Sequence, residues 1–130
     1  MRLSYRRFDL RLRHSWAIAT DVRADRIAAS AIYPVVLVEL TDAQGRSGLG
    51  EGSPSRQYQE SWETTFDFLS RVDPDRLSFD DIPASMAHLQ SIHPARHPAK
   101  CAINLALLDG AARAASQSVG DFLGVGPFLE

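Results

Sequence analysis

Cysteine is all but missing. Cys101 stands alone, so no disulfide framework can form within the chain and a thiolate zinc site has too few ligands. Lysine is equally scarce, with Lys100 the single one. There is no basic surplus either: the formal net charge is −2, which argues against a dedicated nucleic-acid binder. No run approaches the roughly 18 uninterrupted apolar residues of a membrane span. Residues 1–9 carry charges where a secretory signal has its apolar core. The expectation is a cytoplasmic protein with neither a membrane nor a nucleic acid as partner.

What remains is ordinary globular material. Apolar residues make up 45% and charged residues 23% of 130 positions, enough for one modest domain with its own core. Residues 3–13 alternate, with Phe8, Leu10 and Leu12 on one face and Asp9, Arg11 and Arg13 on the other. Period two with a charged outer face predicts a half-buried strand. The arginines there (Arg6, Arg7, Arg11, Arg13) read as a solvated face rather than an anion patch. Residues 14–33 are irregular and long for a connection inside a small domain, with a short helical turn expected over 24–31.

Pro34 opens a second predicted strand, 35–40. Thr41-Asp42-Ala43-Gln44-Gly45 supplies turn chemistry, and residues 46–52 form a third strand, completing a hairpin. Beyond Ser55 the period becomes helical. Trp62, Phe66, Leu69 and Val72 share one helix face, and Asp73-Pro74 ends that helix. Ser78-Phe79-Asp80-Asp81 resembles a capping-box start, followed by the stripe Ile82, Met86, Leu89, Ile92. After the proline-punctuated linker 93–98 a third helix is predicted over 99–116. Its apolar stripe is Cys101, Leu105, Leu108, Ala112 and Ala115, which would bury the thiol as an inert group. Residues 119–123 form a last turn, with Gly124 at its left-handed C-terminal position. Strands first and helices after make the fold class α+β, a three-stranded antiparallel meander followed by a helical bundle.

Three patches carry a family resemblance. The segment from Gly48 to Ser61 (GLGEGSPSRQYQES) resembles the G-x-G-E-x-x-P-x-x-x-Y-x-E-[ST] stretch of dipeptide epimerases in the enolase superfamily. Leu12 to Ala19 (LRHSWAIA) is similar to that family's L-x-x-x-[FW]-x-I-[AS] segment. Ala99 to Asp109 (AKCAINLALLD) resembles its A-K-C-A-[IL]-[DN]-x-A-L-x-D helix. The order is right and the patches span nearly the whole chain.

The resemblance implies an N-terminal capping domain over a TIM barrel, with two capping loops that close the site and choose the substrate. Here these would be about 14–32 and 52–60. It implies a capping domain over residues 1–98 (meander 2–52, helices 56–92) and the first barrel-associated helices over 99–130. A barrel takes about 250 residues, so it would lie outside this chain. In such enzymes the barrel supplies acidic ligands for Mg²⁺ and two lysines that remove and return the proton α to a carboxylate. The metal holds the developing charge, the lysine needs a depressed pKa and the lid keeps the site dry. The expected partners are thus a small dipeptide substrate and the missing barrel domain, and the Ala-rich third helix would invite self-association if left uncovered.

No catalytic residue and no metal ligand is therefore assigned in this chain. Lys100 falls at a helix start rather than a strand end. His93 and His97 stand four apart, but Pro94 and Pro98 oppose a helix between them and two ligands are too few. The substrate-binding candidates are Trp16 and Ile18 as an apolar wall, Arg23 or Arg26 as a clamp on a distal carboxylate, and Arg56 and Tyr58 on the second loop. The family's usual I-A-R-G-x-R reads Ile18-Ala19-Thr20-Asp21-Val22-Arg23 here, which leaves the arginine assignment open. Glu51 reads as structural, its carboxylate tying down the neighbouring loop while the flanking glycines allow close backbone approach. Asp109 reads as a structural partner. The alternatives are a truncated or stand-alone non-catalytic module, or the capping domain of a muconate cycloisomerase or o-succinylbenzoate synthase relative.

Overall fold

A computed structural model describes residues 1–16 and 30–125, with side chains described for 1–14 and 32–125. Ile18, Arg23 and Arg26 lie outside the described residues, as does most of the helical turn expected over 24–31. The last two positions of that expected turn, Ser30 and Ala31, are strand.

Three strands form one antiparallel sheet in sequence order: β1 (Arg2–Trp16), β2 (Ser30–Thr41) and β3 (Ser47–Gly52). Both β1 and β2 run further into the irregular segment than the sequence predicts. Pro34 sits inside β2 rather than at its start. It is tolerated because β3 ends opposite Val36, so β2 has a neighbour on one side only at Pro34. Between the pairs Arg11–Ile32 and Trp16–Ser30 the register shifts, and β1 has residues 12–15 where β2 has only Ala31.

Cross-strand rows show how the sheet is built. Leu3–Leu40–Gly48, Tyr5–Val38–Gly50 and Arg7–Val36–Gly52 lie side by side. Period two puts all three rows on one face. Val36, Val38 and Leu40 belong to the buried core there, with Leu3 and Tyr5 packed against it. The expected buried set Phe8, Leu10, Leu12 lies on the opposite face, and Phe8 is 48% exposed. Phe8 and Leu10 pair beyond the end of β3, where the sheet has thinned to a two-stranded ribbon, and Leu12 falls in the register shift.

Among the described residues four α-helices follow: α1 (Trp62–Leu69), α2 (Ile82–Ile92), α3 (His97–Ala114) and the short α4 (Val119–Phe122). α1 is opened by a reciprocal cap, Ser61 Oγ accepting from Thr64 N and Thr64 Oγ1 accepting from Ser61 N. Leu69 and Phe68 are fully buried on it, while Trp62 and Phe66 pack at the core's edge with Tyr5 edge-on to Phe66 at 4.9 Å. The capping box expected at Ser78 does not form. Asp81 caps α2 instead, accepting from Ala84 N at 3.0 Å, because Pro83 belongs in a first turn, where no N–H is needed. Gly124 has φ +67, as its place after α4 requires.

α3 corrects one expectation. Most of its predicted stripe is turned away from the core: Cys101 and Ala115 are exposed, Leu105 is 42% exposed and Leu108 half-buried, while Ala112 is buried as expected. The buried face is instead Ala99, Ala102, Ile103, Ala106, Leu107 and Gly110. Within it Ala102, Ala106 and Gly110 are small because α3 lies on the glycines of β3. A Cβ at Gly48, Gly50 or Gly52 would overlap the carbonyl oxygen of Ala106, Ala102 or Pro98 respectively.

Candidate functional site

The site begins at one end of the sheet. β3 ends at Gly52 opposite Val36, while β1 and β2 continue past it to Trp16 and Ser30. Residues 53–60 therefore leave the sheet on the side where the 17–29 connection also attaches. Tyr33, on the extended part of β2, donates its hydroxyl to the Pro54 carbonyl at 3.3 Å. That contact fixes the first half of the loop to the ribbon.

The rest of the loop closes on itself. A 3₁₀ turn spans Arg56–Tyr58, and the Ser55 carbonyl accepts from Tyr58 N at 3.0 Å and Glu60 N at 3.1 Å. Gln59 takes a left-handed conformation, φ +56. Glu60 then turns inward and is 6% exposed. Its Oε2 lies 2.9 Å from Thr64 Oγ1 and 3.4 Å from Arg96 Nη1. The crest between these anchors is open, with Arg56, Gln57 and Gln59 exposed and Tyr58 74% exposed.

Of the six substrate-binding candidates, the structure brings Arg56 and Tyr58 together on this crest. Trp16 is described by its backbone, paired with Ser30; its side chain lies outside the described set, with Ile18, Arg23 and Arg26. At the start of α1 the Ser61 hydroxyl holds the Glu63 carboxyl below its usual range, Glu63's own main-chain N–H adds to this, and the charges of Arg7 and Arg56 contribute further. A guanidinium and a phenol on an open turn can together grip a carboxylate or a polar side chain.

Sequence reasoning missed Tyr33, Thr64 and Arg96, and gave Glu60 no role. The carboxylate that ties down this loop is Glu60, not Glu51. Glu51 is exposed and its carboxylate has no hydrogen bond or ion pair among the described residues; it lines an open groove of about 760 Å³ on the sheet's other face, with Arg6, Glu39, Leu49 and Arg113. Asp109 is a structural partner, accepting from Leu49 N at 2.9 Å and from Arg113 Nε at 2.9 Å.

Among the described residues no group of three or more His, Cys, Asp or Glu could hold a metal ion, so the residues described do not fit a Mg²⁺ site. His93 Nδ1 accepts from Ala95 N at 3.0 Å within its own linker, and His97 is exposed at the start of α3. Lys100 is buried, its Nζ donating to Gln90 Oε1 at 2.6 Å and to the Pro94 carbonyl at 3.1 Å. Burial pushes its pKa below the ordinary lysine value. Among the described residues no helix is long and apolar enough to cross a membrane.

Comparison with known proteins places this geometry. The family model for the mandelate racemase / muconate lactonizing enzyme N-terminal domain matches residues 20–124. The L-Ala-D/L-amino acid epimerase of Pedosphaera parvula is 47% identical over 118 residues, covering 91% of this chain and 33% of that protein. The solved dipeptide epimerase of Methylococcus capsulatus, complexed with Mg and the dipeptide L-Arg-D-Lys, superposes with a TM-score of 0.77 at 25% identity, over 95% of this chain and 34% of its own. The muconate lactonizing enzyme of Pseudomonas putida superposes with a TM-score of 0.75 at 22% identity, over 95% of this chain and 32% of its own. The chain thus spans about a third of the length of the curated relatives it matches.

Proposed function

Because this chain belongs to the mandelate racemase / muconate lactonizing enzyme N-terminal domain family, we propose that it is the capping, substrate-selecting portion of an isomerase that epimerises dipeptides. The α+β capping fold of the enolase superfamily is common to it and its relatives, and a close relative is named an epimerase. The observation that carries the finer reading is the loop 53–60. It is anchored at Pro54 and Glu60 and open between, on the side of the sheet where the 17–29 connection attaches. A rigid base with an exposed polar crest is how a scaffold presents specificity residues.

In this reading Arg56 and Tyr58 contact the side chain or terminal carboxylate of the dipeptide, with Trp16, Ile18 and Arg23 or Arg26 supplying the other loop's share. Proton abstraction α to the carboxylate, and the Mg²⁺ that stabilises the developing charge, belong to residues outside these 130. The single lysine supports this, since its ammonium is committed to Gln90 and Pro94, and no described cluster suits a metal. The name of the 47%-identical relative favours an epimerase over a cycloisomerase, because the likeness to the muconate enzyme at 22% identity speaks for the fold alone.

Isothermal titration of the chain with Mg²⁺ and with L-Ala-L-Glu, separately and together, tests the division of labour. The expected result is no metal-dependent dipeptide binding. Tight binding of dipeptide only when Mg²⁺ is present would mean that these residues hold a complete site, and the proposal would fall.

A further inference from the structure

Two residues other than glycine adopt left-handed backbone next to this loop. Gln59 has φ +56 and Arg96 has φ +69. Such conformations cost an L-residue free energy and persist where surrounding contacts over-determine them. Here they meet through one side chain. Glu60 follows Gln59 directly, and its buried carboxylate lies against Arg96 Nη1 and Thr64 Oγ1. Arg96 is the N-terminal boundary residue of α3, and its buried Nε has no hydrogen-bond partner. Its charge is therefore directed to Glu60 through Nη1 alone among the described residues.

Glu60 is thus the point where the loop, α1 and α3 are joined. It stands at the C-terminal foot of the crest, two residues from Tyr58 and four from Arg56. We propose that Glu60, held by Arg96 and Thr64, is the positioning residue of the crest. It fixes where Arg56 and Tyr58 stand, and through them it sets which dipeptide the loop admits. The second half rests on the reading above that the crest faces substrate.

The argument is one of leverage. The turn's own bonds, Tyr58 N and Glu60 N to Ser55 O, close a small ring but do not orient it. Orientation comes from Tyr33 at one foot and Glu60 at the other. Of the two, the Tyr33 contact is a single neutral hydrogen bond, whereas the Glu60 contact is charged, with the carboxylate buried and Arg96 28% exposed. Losing Arg96 leaves the buried Glu60 carboxylate without its charged partner, and losing Glu60 removes the loop's charged anchor, so the loop, rather than α3, is the element free to move away.

Amide hydrogen exchange on the chain tests the first half. In Glu60→Ala, exchange at Tyr58, Gln59 and residue 60 should speed at least about tenfold, while α3 and β2 amides keep their rates. Glu60→Gln, which keeps an acceptor for Thr64 and Arg96, should recover most of the protection. Arg96→Ala should resemble Glu60→Ala, and the double variant should be no faster than either. Loop exchange unchanged within about twofold, or equal acceleration everywhere, would overturn the positioning role. If Glu60→Ala does not fold, the comparison of Glu60→Gln with Arg96→Lys decides it, since both retain a polar side chain.

The second half is read in the Pedosphaera parvula epimerase with this chain in place of its matched third. Glu60→Ala should raise KM and change the ratio of kcat/KM between acidic and basic dipeptides by about tenfold or more, with kcat nearly kept, and Glu60→Gln should restore most of the wild-type ratio. A loosened loop with an unchanged ratio would overturn the substrate-facing reading while the positioning role stands.

Discussion

Gly50 of β3 lies against the main-chain carbonyl of Ala102 on α3, so close that a Cβ on Gly50 would overlap the oxygen. The same holds two residues earlier against Ala106, and two residues later a Cβ would crowd Pro98. Two residues of strand advance about 6.7 Å and four residues of helix about 6 Å. The glycines and the carbonyls are therefore nearly in step, strand and helix running opposite ways. This close seat fixes β3, and β3 carries the loop that follows Gly52.

Gly50→Ala should consequently destabilise the fold by about 1–3 kcal/mol or more, because neither partner atom is the end of a flexible side chain. Gly45→Ala is the control. Gly45 has φ +80 but open space around it, so its cost is backbone strain alone, about 1 kcal/mol. Urea unfolding midpoints compare the two. A Gly50→Ala variant no less stable than Gly45→Ala would show that the strand and helix can part at little cost.

Arg46 bridges two carboxylates and should make the fold sensitive to acid. Its guanidinium reaches Asp80 at 2.9 Å and Asp42 in its own turn. At Asp80 the hydrogen bond from Arg46, then its charge, lowers the pKa. At Asp42 burial pushes the pKa up, but the bonds and charge of Arg46 outweigh it and the net shift is down. Both carboxyls hold protons less tightly folded than unfolded. The stability they add is present above the ordinary value of about 3.8 and is lost as pH falls through the lowered folded values. Wild type should exceed Arg46→Met by most between about pH 7 and about pH 4, and the gap should shrink toward about pH 2. A remnant from the Arg46–Phe79 contact at 5.7 Å would stay. A gap independent of pH would mean the ion pairs contribute nothing.

The meander was legible because period two, turn chemistry and the glycine stretch all point the same way, and the register rows bear this out. Helix positions were legible for the same reason; α2 has the predicted stripe from Ile82 to Ile92. What misled was hydrophobicity read without its partner surface. On α3 Leu105 and Cys101 face outward while Ile103 and Leu107 face the core, and it is Ala102, Ala106 and Gly110 that seat against the glycines of β3. On β1 the face of Phe8 looked buried because alternation alone does not say which face the helices cover, and they cover the face of Leu3 and Tyr5. At the site, Arg56 and Tyr58 could be named from the motif. The Arg96 contact could not, since it joins residues 36 apart and depends on a left-handed arginine in a linker that sequence alone leaves unstructured.

Lys100 is where sequence and chemistry invite a catalytic reading and the structure directs otherwise. Its ammonium is nearly buried and bonded to two neutral acceptors, Gln90 Oε1 and the Pro94 carbonyl. The carbonyl belongs to the linker between α2 and α3, so the lysine holds that linker closed. Lys100→Met keeps the aliphatic stem but leaves both acceptors without their donor, which should cost about 1–3 kcal/mol. The pH dependence has a definite sign. Burial lowers the folded pKa below the unfolded one, so the unfolded chain binds the proton more tightly and wild-type stability rises as pH climbs toward the unfolded value. The variant lacks this group. Urea unfolding at about pH 7 and about pH 10 should therefore show the gap between wild type and Lys100→Met widening with pH. A gap that narrows would mean that the folded chain holds this proton more tightly than the unfolded one, so that burial does not govern Lys100; a variant as stable as wild type at both would mean that these contacts contribute nothing and would free Lys100 for another role.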